Sequence, residues 1–384
     1  MNTGASRNGA RVVIVICDSL RADLISPDDT PFLVDLQQRG ASFAAHRSVF
    51  PSTTRASAAS IATGCYPARH GLLGNTMALD DGDGLACYSA GHPDFPDRLR
   101  RVTGRTLLVP TLAERLRWHG ETSISCANVS PGAAYFQDPD GHGWVYHAAG
   151  SYGPGRQPLD DPASAALTKG IAGDRMMTER FCGEILADRA PSLAIMWLSE
   201  PDNTGHHAPL GSPQHRAAIR GADALVRQVF ETVRRLDPSG ENILFMTGSD
   251  HGMETVAAAI DVDALLIEAG LKQAPGSSDV VVAPNGTAAT LYFSDPESPL
   301  AERVATFSQL KAALPTCLPA SGLAKSAYRP APRCALPSQW RPLIRGTRLA
   351  LPAPARSSAT RRIMKARSAS ASMAGWGVTS STHS

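Results

Sequence analysis

The sequence predicts an α/β protein with a doubly wound, mostly parallel sheet and helices on both faces. Three short apolar runs indicate the sheet: residues 11–18 (RVVIVICD), 192–198 (SLAIMWL) and 243–247 (ILFMT). Strands that are apolar throughout are typical of parallel sheets, because both faces of such sheets are buried. Helical patterns separate the runs, and this alternation favours parallel strands joined by helical crossovers.

The helical patterns have recognisable starts and ends. One helix is expected to begin at Thr30-Pro31, where the hydroxyl can cap the helix and proline suits its first position, and to end at Gly40. Residues 57–63 continue as a helix of small side chains. Between residues 213 and 236, apolar side chains recur at steps of three and four, which predicts a long amphipathic helix.

The predicted fold closes with a pair of edge strands. Residues 280–282 and 290–293 are apolar and flank a Pro-Asn-Gly turn signal. We therefore expect one ordered domain over residues 11–302. Residues 74–190 are expected to form a cap-like insertion that shapes the substrate pocket.

Beyond residue 302 the composition changes. Residues 303–384 contain 13 Lys and Arg and no Asp or Glu, whereas residues 1–302 carry 24 basic and 35 acidic groups, a net charge of −11. The segment is rich in Pro, Ala, Ser and Arg and has no sustained periodicity, which predicts a disordered tail. A shifted reading frame of a GC-rich gene would encode the same composition. A nucleic-acid-binding arm is a third interpretation.

Several classes of protein are excluded. No apolar run approaches the roughly 20 residues of a membrane span, and the N-terminus lacks a small-residue cleavage site for a signal peptide. We therefore expect a cytoplasmic protein with no membrane partner, and a nucleic-acid partner is disfavoured. The seven cysteines contain no C-x-x-C pair, which argues against a disulfide scaffold and a thiolate zinc site.

Acidic and histidine residues follow each of the three buried strands. They are Asp18, then Asp202 with His206, and then Asp250 with His251. The carboxyl ends of parallel strands share one edge of a sheet, so these side chains are expected to be neighbours. Carboxylate and imidazole ligands suit zinc or a similar ion, and two such ions are a standard apparatus for displacement at phosphorus. Taken singly, an aspartate at a strand end is more often a helix cap or turn residue, and the joint occurrence is what favours a metal site.

A candidate nucleophile lies in residues 49–75. Thr54 directly precedes the small-residue helix, where metal coordination and the N–H groups of a helix N-terminus could activate its hydroxyl and receive a phosphate. The alternative is that Ser52, Thr53 and Thr54 form only a capping cluster.

These segments together resemble a known family. VVIVICDSLRAD, TPFLVDLQQRGASF, FPSTTRASAASIATGCYPARHGLLGN, EPDNTGH and TGSDHGM are similar in order and spacing to the alkaline phosphatase superfamily, and most to its type I phosphodiesterase/nucleotide pyrophosphatase branch. The similarity covers about residues 11–295. It implies an alkaline phosphatase-like fold and Thr54 as the covalent nucleophile. It also implies two zinc sites, one held by Asp18, Thr54, Asp250 and His251, and one by Asp202 and His206.

A second pattern in the same block is misleading. Cys65-Tyr66-Pro67-Ala68-Arg69 matches the C-x-P-x-R pattern of sulfatases. In sulfatases, however, the modified cysteine lies twelve residues before the tyrosine of a later Thr-Gly-x-Tyr-Pro stretch. Counting back twelve from Tyr66 reaches Thr54, so the resemblance does not imply sulfatase activity.

Two departures from the family concern substrate and metal. Ser57 stands where the branch usually has an asparagine that contacts phosphate, although Ser57 can donate a hydrogen bond and Arg55 could supply charge. The family also completes the second zinc site with a later histidine in a His-Gly context. After His251 the next histidine is His383 in the basic tail, and His142 comes too early in the chain. The second site is therefore expected to be incomplete.

The function implied is metal-dependent hydrolysis of a small-molecule phosphate ester, a phosphodiester or nucleotide pyrophosphate, through a covalent phospho-threonine. Phosphonate hydrolysis is the alternative within the superfamily. The alternative to an enzyme is a truncated or inactive relative that lacks the third histidine of the second zinc site. Zinc content separates these possibilities, and the sequence leaves the oligomeric state open.

Overall fold

The computed structural model describes residues 10–256, 259–310, 316–319, 348–351 and 377–379. These residues divide into two compact units. Unit 1 contains the described residues up to Ser48, those from Pro110 to Thr255, and those beyond Ala371. Unit 2 contains Val49–Val109 and the described residues between Val256 and Ser370.

The strands in chain order are β1 Arg11–Cys17, β2 Ala41–Ser42, β3 Thr76–Asp80, β4 Leu85–Ser89, β5 Ser123–Ala127, β6 Trp144–Tyr146, β7 Ser151–Gly153, β8 Gln157–Leu159, β9 Leu193–Leu198, β10 Ile243–Gly248, β11 Val280–Asn285, β12 Ala288–Phe293, β13 Thr316–Pro319, β14 Arg348–Leu351 and β15 Gly377–Thr379. The α-helices are α1 Pro31–Arg39, α2 Thr54–Thr63, α3 Pro67–His70, α4 Phe95–Thr103, α5 Leu112–Trp118, α6 Pro131–Tyr135, α7 Pro162–Ala165, α8 Ile171–Arg180, α9 Asp202–Gly205, α10 Pro213–Leu236, α11 Val262–Glu268 and α12 Pro299–Leu310. Short 3-10 helices lie at Ala22–Leu24 and Pro154–Arg156, and a π-helical stretch continues α8 over Phe181–Arg189.

Unit 1 is built on one mostly parallel sheet. Among the described residues its strand order is β2-β15-β10-β1-β9-β5-β6-β7-β8. Strand β1 lies between β10 and β9 and pairs in parallel with both, so that Ile14 is opposite Met246 on one side and Ile195 on the other. Strand β9 pairs in parallel with β5, and β5 with β6. The three predicted strands are therefore adjacent to one another at the centre of the sheet.

The sheet of unit 1 is buried on both faces. Val13 and Val15 of β1 belong to the core that also includes side chains of α1, α8 and α10, while Ile14 and Ile16 on the opposite face are also buried. This burial explains why the strands are apolar throughout rather than alternating. The predicted α/β class and mostly parallel sheet are confirmed.

The start of α1 differs in one detail from the prediction. Proline occupies the first position as expected, but the hydroxyl of Thr30 bonds to the backbone of Ser26 instead of capping the helix. The cap comes from α10, where the Asp223 carboxylate accepts from the N–H groups of Phe32 at 3.2 Å and Leu33 at 2.8 Å. Asp223 satisfies two of the helix's first N–H groups, so the Thr30 side chain is not required for this task.

Unit 2 contains smaller antiparallel sheets. Strands β11 and β12 pair directly across a turn at Gly286, which has a φ of 68°, and they extend the edge pair predicted from the sequence. The described strands of this sheet follow the order β11-β12-β14-β13, and β3 pairs with β4. The side chain of Asn285 joins β11 to β3, accepting from the N–H of Thr76 at 3.0 Å.

The units do not follow the predicted domain limits. Residues 74–190, predicted as one insertion, are divided between the two units, and part of them forms β5 in the central sheet. Helix α12 continues beyond the expected boundary at 302, as far as Leu310. Most of the predicted tail, 303–384, lies outside the described residues. Within the described ranges, no helix combines the length and apolar composition needed to cross a membrane.

Candidate functional site

Three of the predicted ligands form one buried cluster in unit 1. Asp18 directly follows β1, and Asp250 and His251 follow β10, the neighbouring parallel strand. Their ligand atoms all lie within 4.8 Å of one another, and all three residues are buried. Nε2 of His251 lies 3.6 Å from Oδ1 of Asp18 and 3.2 Å from Oδ2 of Asp250. Strands 225 residues apart in the chain thus bring two carboxylates and an imidazole together.

The contacts of His251 determine which of its ring nitrogens carries hydrogen. Its Nδ1 lies 2.9 Å from the carbonyl oxygen of Gly252, which only accepts hydrogen bonds. Nδ1 therefore carries a proton, and in the neutral imidazole Nε2 presents its lone pair to the two carboxylates. A histidine held through one nitrogen with the other directed at carboxylates is typical of metal ligation.

The electrostatics of this cluster fit a cation. Burial raises the pKa of Asp18 well above its ordinary value, and the charges of Asp250 and Asp202 raise it further. Burial also raises the pKa of Asp250, although the nearby His251 partly offsets this. Within the described part of the chain, no hydrogen-bond donor reaches the buried Oδ1 of Asp18. Oxygen and imidazole donors in this combination suit zinc or a similar divalent ion.

Asp202 and His206 follow β9, on the other side of β1. The N–H of Asp202 donates to the carbonyl of Asp18 at 3.1 Å, so this turn is fixed beside the first cluster. Nε2 of His206 lies 3.4 Å from Oδ2 of Asp202, and the histidine side chain is 65% exposed. Among the described residues, the cluster of Asp18, Asp250 and His251 is the one group of three such ligands. Within the described part of the chain, Asp202 and His206 are thus a pair without a third protein ligand of this kind.

Sequence reasoning missed Ser19, which connects the two groups. Its hydroxyl lies 2.7 Å from Oδ1 of Asp202 and 3.0 Å from Nδ1 of His251, and its N–H donates to Oδ1 of Asp250 at 3.1 Å. No sequence pattern marks this residue, since a serine after a strand is common in turns.

Asp174 of α8 was also missed, and it anchors the turn that carries Asp202. Its carboxylate accepts from the N–H groups of Ser199 at 2.9 Å and Glu200 at 3.0 Å, and from the amide of Asn128 at 2.9 Å. Burial raises the pKa of Asp174 to about 6 despite these hydrogen bonds. A long-range acceptor of this kind gives no local signal in the sequence.

The predicted nucleophile and substrate-binding residues lie in unit 2. Thr54 is the first residue of α2, preceded by Thr53 in extended conformation. The backbone N–H of Arg55 donates to the side chain of Asn75 at 3.0 Å. Ser57 is buried, and its N–H donates to the carbonyl of Thr53 at 3.0 Å. The small-residue helix, predicted over 57–63, begins three residues earlier, so Thr54 is its first residue and does not precede it.

Comparison with known proteins identifies the family. The sequence model of the type I phosphodiesterase / nucleotide pyrophosphatase family matches residues 12–367. The chain belongs to this family. The family inferred from the motifs and the predicted alkaline phosphatase-like fold are both confirmed. The roles of the individual site residues remain predictions.

One curated relative of this phosphodiesterase-family chain is an uncharacterised pyrophosphatase/phosphodiesterase of Schizosaccharomyces pombe. The two are 24% identical over 253 residues, which cover 66% of this chain and 46% of the relative. The match therefore spans less than half the length of that protein.

Solved structures share the fold of this family member. Murine ectonucleotide pyrophosphatase / phosphodiesterase 5, solved as an inactive variant with AMP, has a TM-score of 0.59 at 17% identity, covering 89% of this chain and 78% of that chain. Phosphonoacetate hydrolase from Sinorhizobium meliloti 1021, solved with phosphonoacetate, has a TM-score of 0.61 at 16% identity, covering 90% and 81%. At these identities the likeness establishes the fold.

Proposed function

We propose that this chain is a metal-dependent hydrolase of phosphate esters, acting on a phosphodiester or nucleotide pyrophosphate through a covalent phospho-threonine at Thr54. The observation that carries the proposal is the buried cluster of Asp18, Asp250 and His251. Family membership supports the reaction class. Two buried carboxylates facing an imidazole lone pair favour a bound cation over an uncharged core.

The protein residues have distinct tasks in this proposal. Asp18, Asp250 and His251 would hold the ion, and Gly252 keeps the His251 ring in the ligating tautomer through its carbonyl. When bound, a zinc-like ion supplies Lewis acidity, which stabilises negative charge on oxygen. Oγ1 of Thr54 forms the bond to phosphorus while the bond to the leaving oxygen breaks. The leaving oxygen takes up a proton in place of the one that Thr54 loses, and water then cleaves the phospho-threonine to release a phosphate monoester and restore the hydroxyl.

The two predicted metal positions are unequal. Zinc is the ion that we propose, because imidazole with carboxylates suits it. Asp202 and His206 would hold a second ion with two protein ligands, one of them on an exposed side chain. We therefore expect the second ion to bind more weakly than the first.

Phosphonate hydrolysis is the second candidate function, since the phosphonoacetate hydrolase of S. meliloti shares the fold. The substrate is a small molecule in either case. An inactive relative is the remaining alternative, and its basis is the incomplete second metal pair.

The test compares two adjacent threonines in purified, zinc-supplemented protein. T54V removes the proposed nucleophile, whereas T54S retains a hydroxyl. T53V is a matched control, because Oγ1 of Thr53 is buried and no described residue hydrogen-bonds to it. The substrates are bis-p-nitrophenyl phosphate, the p-nitrophenyl ester of thymidine monophosphate, and phosphonoacetate.

We expect T54V to lose at least about 1000-fold in kcat, on the scale of removing a nucleophile, while T53V remains near wild type. Acid quenching during turnover of a phosphorus-labelled diester should leave label on the wild-type protein and none on T54V. Full metal-dependent activity in T54V would refute the covalent mechanism. Release of phosphate from phosphonoacetate alone would favour the second function, and no turnover in any wild-type assay would favour the inactive relative.

A further inference from the structure

Ser19 occupies an unfavourable backbone conformation at the centre of unit 1. It lies in the turn closed by the N–H of Leu20 and the carbonyl of Cys17 at 3.3 Å. Its φ of 61° is in the left-handed region, at the third position of the turn, where glycine or asparagine is favoured. The residue is 3% exposed. A buried serine in this conformation suggests that its side chain has a task that glycine could not perform.

The polar contacts of Ser19 form one consistent hydrogen-bond pattern. The Asp202 carboxylate at 2.7 Å accepts only, so the single hydroxyl proton of Ser19 is donated to Asp202. Towards Nδ1 of His251 at 3.0 Å, the same oxygen must therefore accept. This direction agrees with the proton on Nδ1 that the Gly252 carbonyl requires. The backbone N–H of Ser19 also orients Asp250.

We propose that Ser19 is a positioning residue of the metal centre, with its hydroxyl orienting Asp202 and, beside the Gly252 carbonyl, holding Nδ1 of His251 at the same time. This inference rests on the proposed function, because it assigns Asp202 and His251 to metal binding. It adds a link between the two ligand groups. Ligand orientation in one group then depends on the other, so loss of the hydroxyl should weaken both metal positions.

The left-handed φ allows the hydroxyl and the backbone to be tested separately. Ser19→Gly removes the hydroxyl and relieves the backbone conformation, while Ser19→Ala removes the hydroxyl and retains the conformation. If the side chain has no role, glycine is expected to be better than serine in every assay, because it relieves the left-handed conformation. A positioning role predicts that both variants lose metal affinity whatever happens to stability. Ala190→Gly is the control for relief of a left-handed residue, since Ala190 has a φ of 48° and is exposed.

The experiment uses the full chain, stripped of metal with a chelator and titrated with Zn²⁺ alone by calorimetry and with Co²⁺ by visible absorption. Thermal unfolding of the metal-free proteins is measured in parallel. We expect the tightest Zn²⁺ dissociation constant to rise about 10- to 100-fold in both Ser19 variants, as for other residues that orient ligands. The Co²⁺ spectrum should change, and the metal-free Tm of S19G should equal or exceed that of wild type. A190G should bind Zn²⁺ like wild type.

Unchanged Zn²⁺ affinity and Co²⁺ spectra in S19G and S19A would overturn the inference, provided that wild type binds metal and hydrolyses substrate. The inference would also be overturned if the loss of Zn²⁺ affinity in each variant only followed the loss of its metal-free Tm. If S19A does not fold, S19G carries the test, and failure of both to fold would assign Ser19 a structural role instead. A wild-type protein that binds no Zn²⁺ would refute the proposed function itself, which is a separate result.

Discussion

Replacing Asp18 by asparagine should stabilise the metal-free protein and destabilise its metal-bound form relative to wild type. Without metal, Asp18 and Asp250 place two carboxylates within 4.8 Å of each other in a buried site. At an effective dielectric constant of about 20, two full charges at that distance repel by about 3.5 kcal/mol. Partial protonation and the neighbouring His251 reduce this value. We therefore expect D18N to gain about 1–3 kcal/mol in free energy of unfolding at pH 8.

The pH dependence of the free energy of unfolding is a second test of whether Asp18 destabilises the metal-free protein. Because the folded-state pKa of Asp18 is raised above 3.8, the folded protein keeps this proton to a higher pH than the unfolded chain does. The stabilising contribution is complete below pH 3.8 and falls as pH rises towards the folded pKa. D18N removes this dependence, so its advantage over wild type in metal-free buffer should increase with pH.

Bound metal should make wild type more stable than D18N. A ligand that binds only the folded state at 1,000 times its dissociation constant stabilises by about 4.1 kcal/mol. Wild type should gain this amount with Zn²⁺, and D18N should gain little. The assay is urea unfolding at pH 5, 6.5 and 8, each with chelator and with excess Zn²⁺.

Asp237→Asn is the control for a carboxylate in the opposite situation. Burial alone would raise the pKa of Asp237, but hydrogen bonds from Asn242, Ser239 and Ile243 lower it overall. D237N should therefore destabilise the protein above pH 4, with or without metal. A D18N protein that is less stable than wild type in chelator, and equally stabilised by Zn²⁺, would refute the electrostatic reasoning.

Two further predictions concern stability away from the candidate site. Burial lowers the pKa of His70 to about 3, so its stabilising contribution is complete above pH 6.5 and is lost as pH falls towards 3. Wild type should lose about 2 kcal/mol in free energy of unfolding between pH 6.5 and 5 from this group. H70Q should show a shallower decline in urea unfolding, and an identical pH profile would contradict the assignment. Asp223→Ala removes the acceptor of two N–H groups at the start of α1 and should cost about 1–2 kcal/mol in free energy of unfolding. T30A should cost less, and a larger cost for T30A than for D223A would contradict the long-range cap.

The central strands and their acidic ends were predictable because the signals are local and strong. Residues buried on both faces of a sheet must be apolar, so β1, β9 and β10 stand out as continuous runs. Side chains at the carboxyl ends of adjacent parallel strands must be neighbours. Asp18, Asp250 and His251 therefore followed from topology, before any distance was known.

Other parts of the site depend on contacts that the sequence does not encode locally. Ser19 is distinguished by its left-handed φ and by the two proposed ligands that its hydroxyl reaches, and neither feature is visible in a turn sequence. Asp223 replaces Thr30 as the cap of α1 from a position 193 residues later. Asp174 reaches the turn after β9 from a different helix. Each required the packed structure, because tertiary contacts override local preferences.

Strand β5 lies within residues 74–190, the region predicted as a cap-like insertion. The structure places β5 of this region beside β9 in the central sheet. Five buried residues suffice for that strand, too few to be separated from loop sequence by periodicity alone.

The most direct test of the central claim is metal stoichiometry coupled to activity. Purified full-length protein is measured by elemental analysis after gel filtration, after chelation and after Zn²⁺ is restored, and diester hydrolysis is followed in each state. We predict one tightly held ion per chain after gel filtration, a second only with Zn²⁺ in excess, and loss and return of hydrolysis with the metal. The tight ion should be absent from H251A. Chelated, metal-free protein that hydrolyses the diester as fast as the reloaded protein would contradict the account.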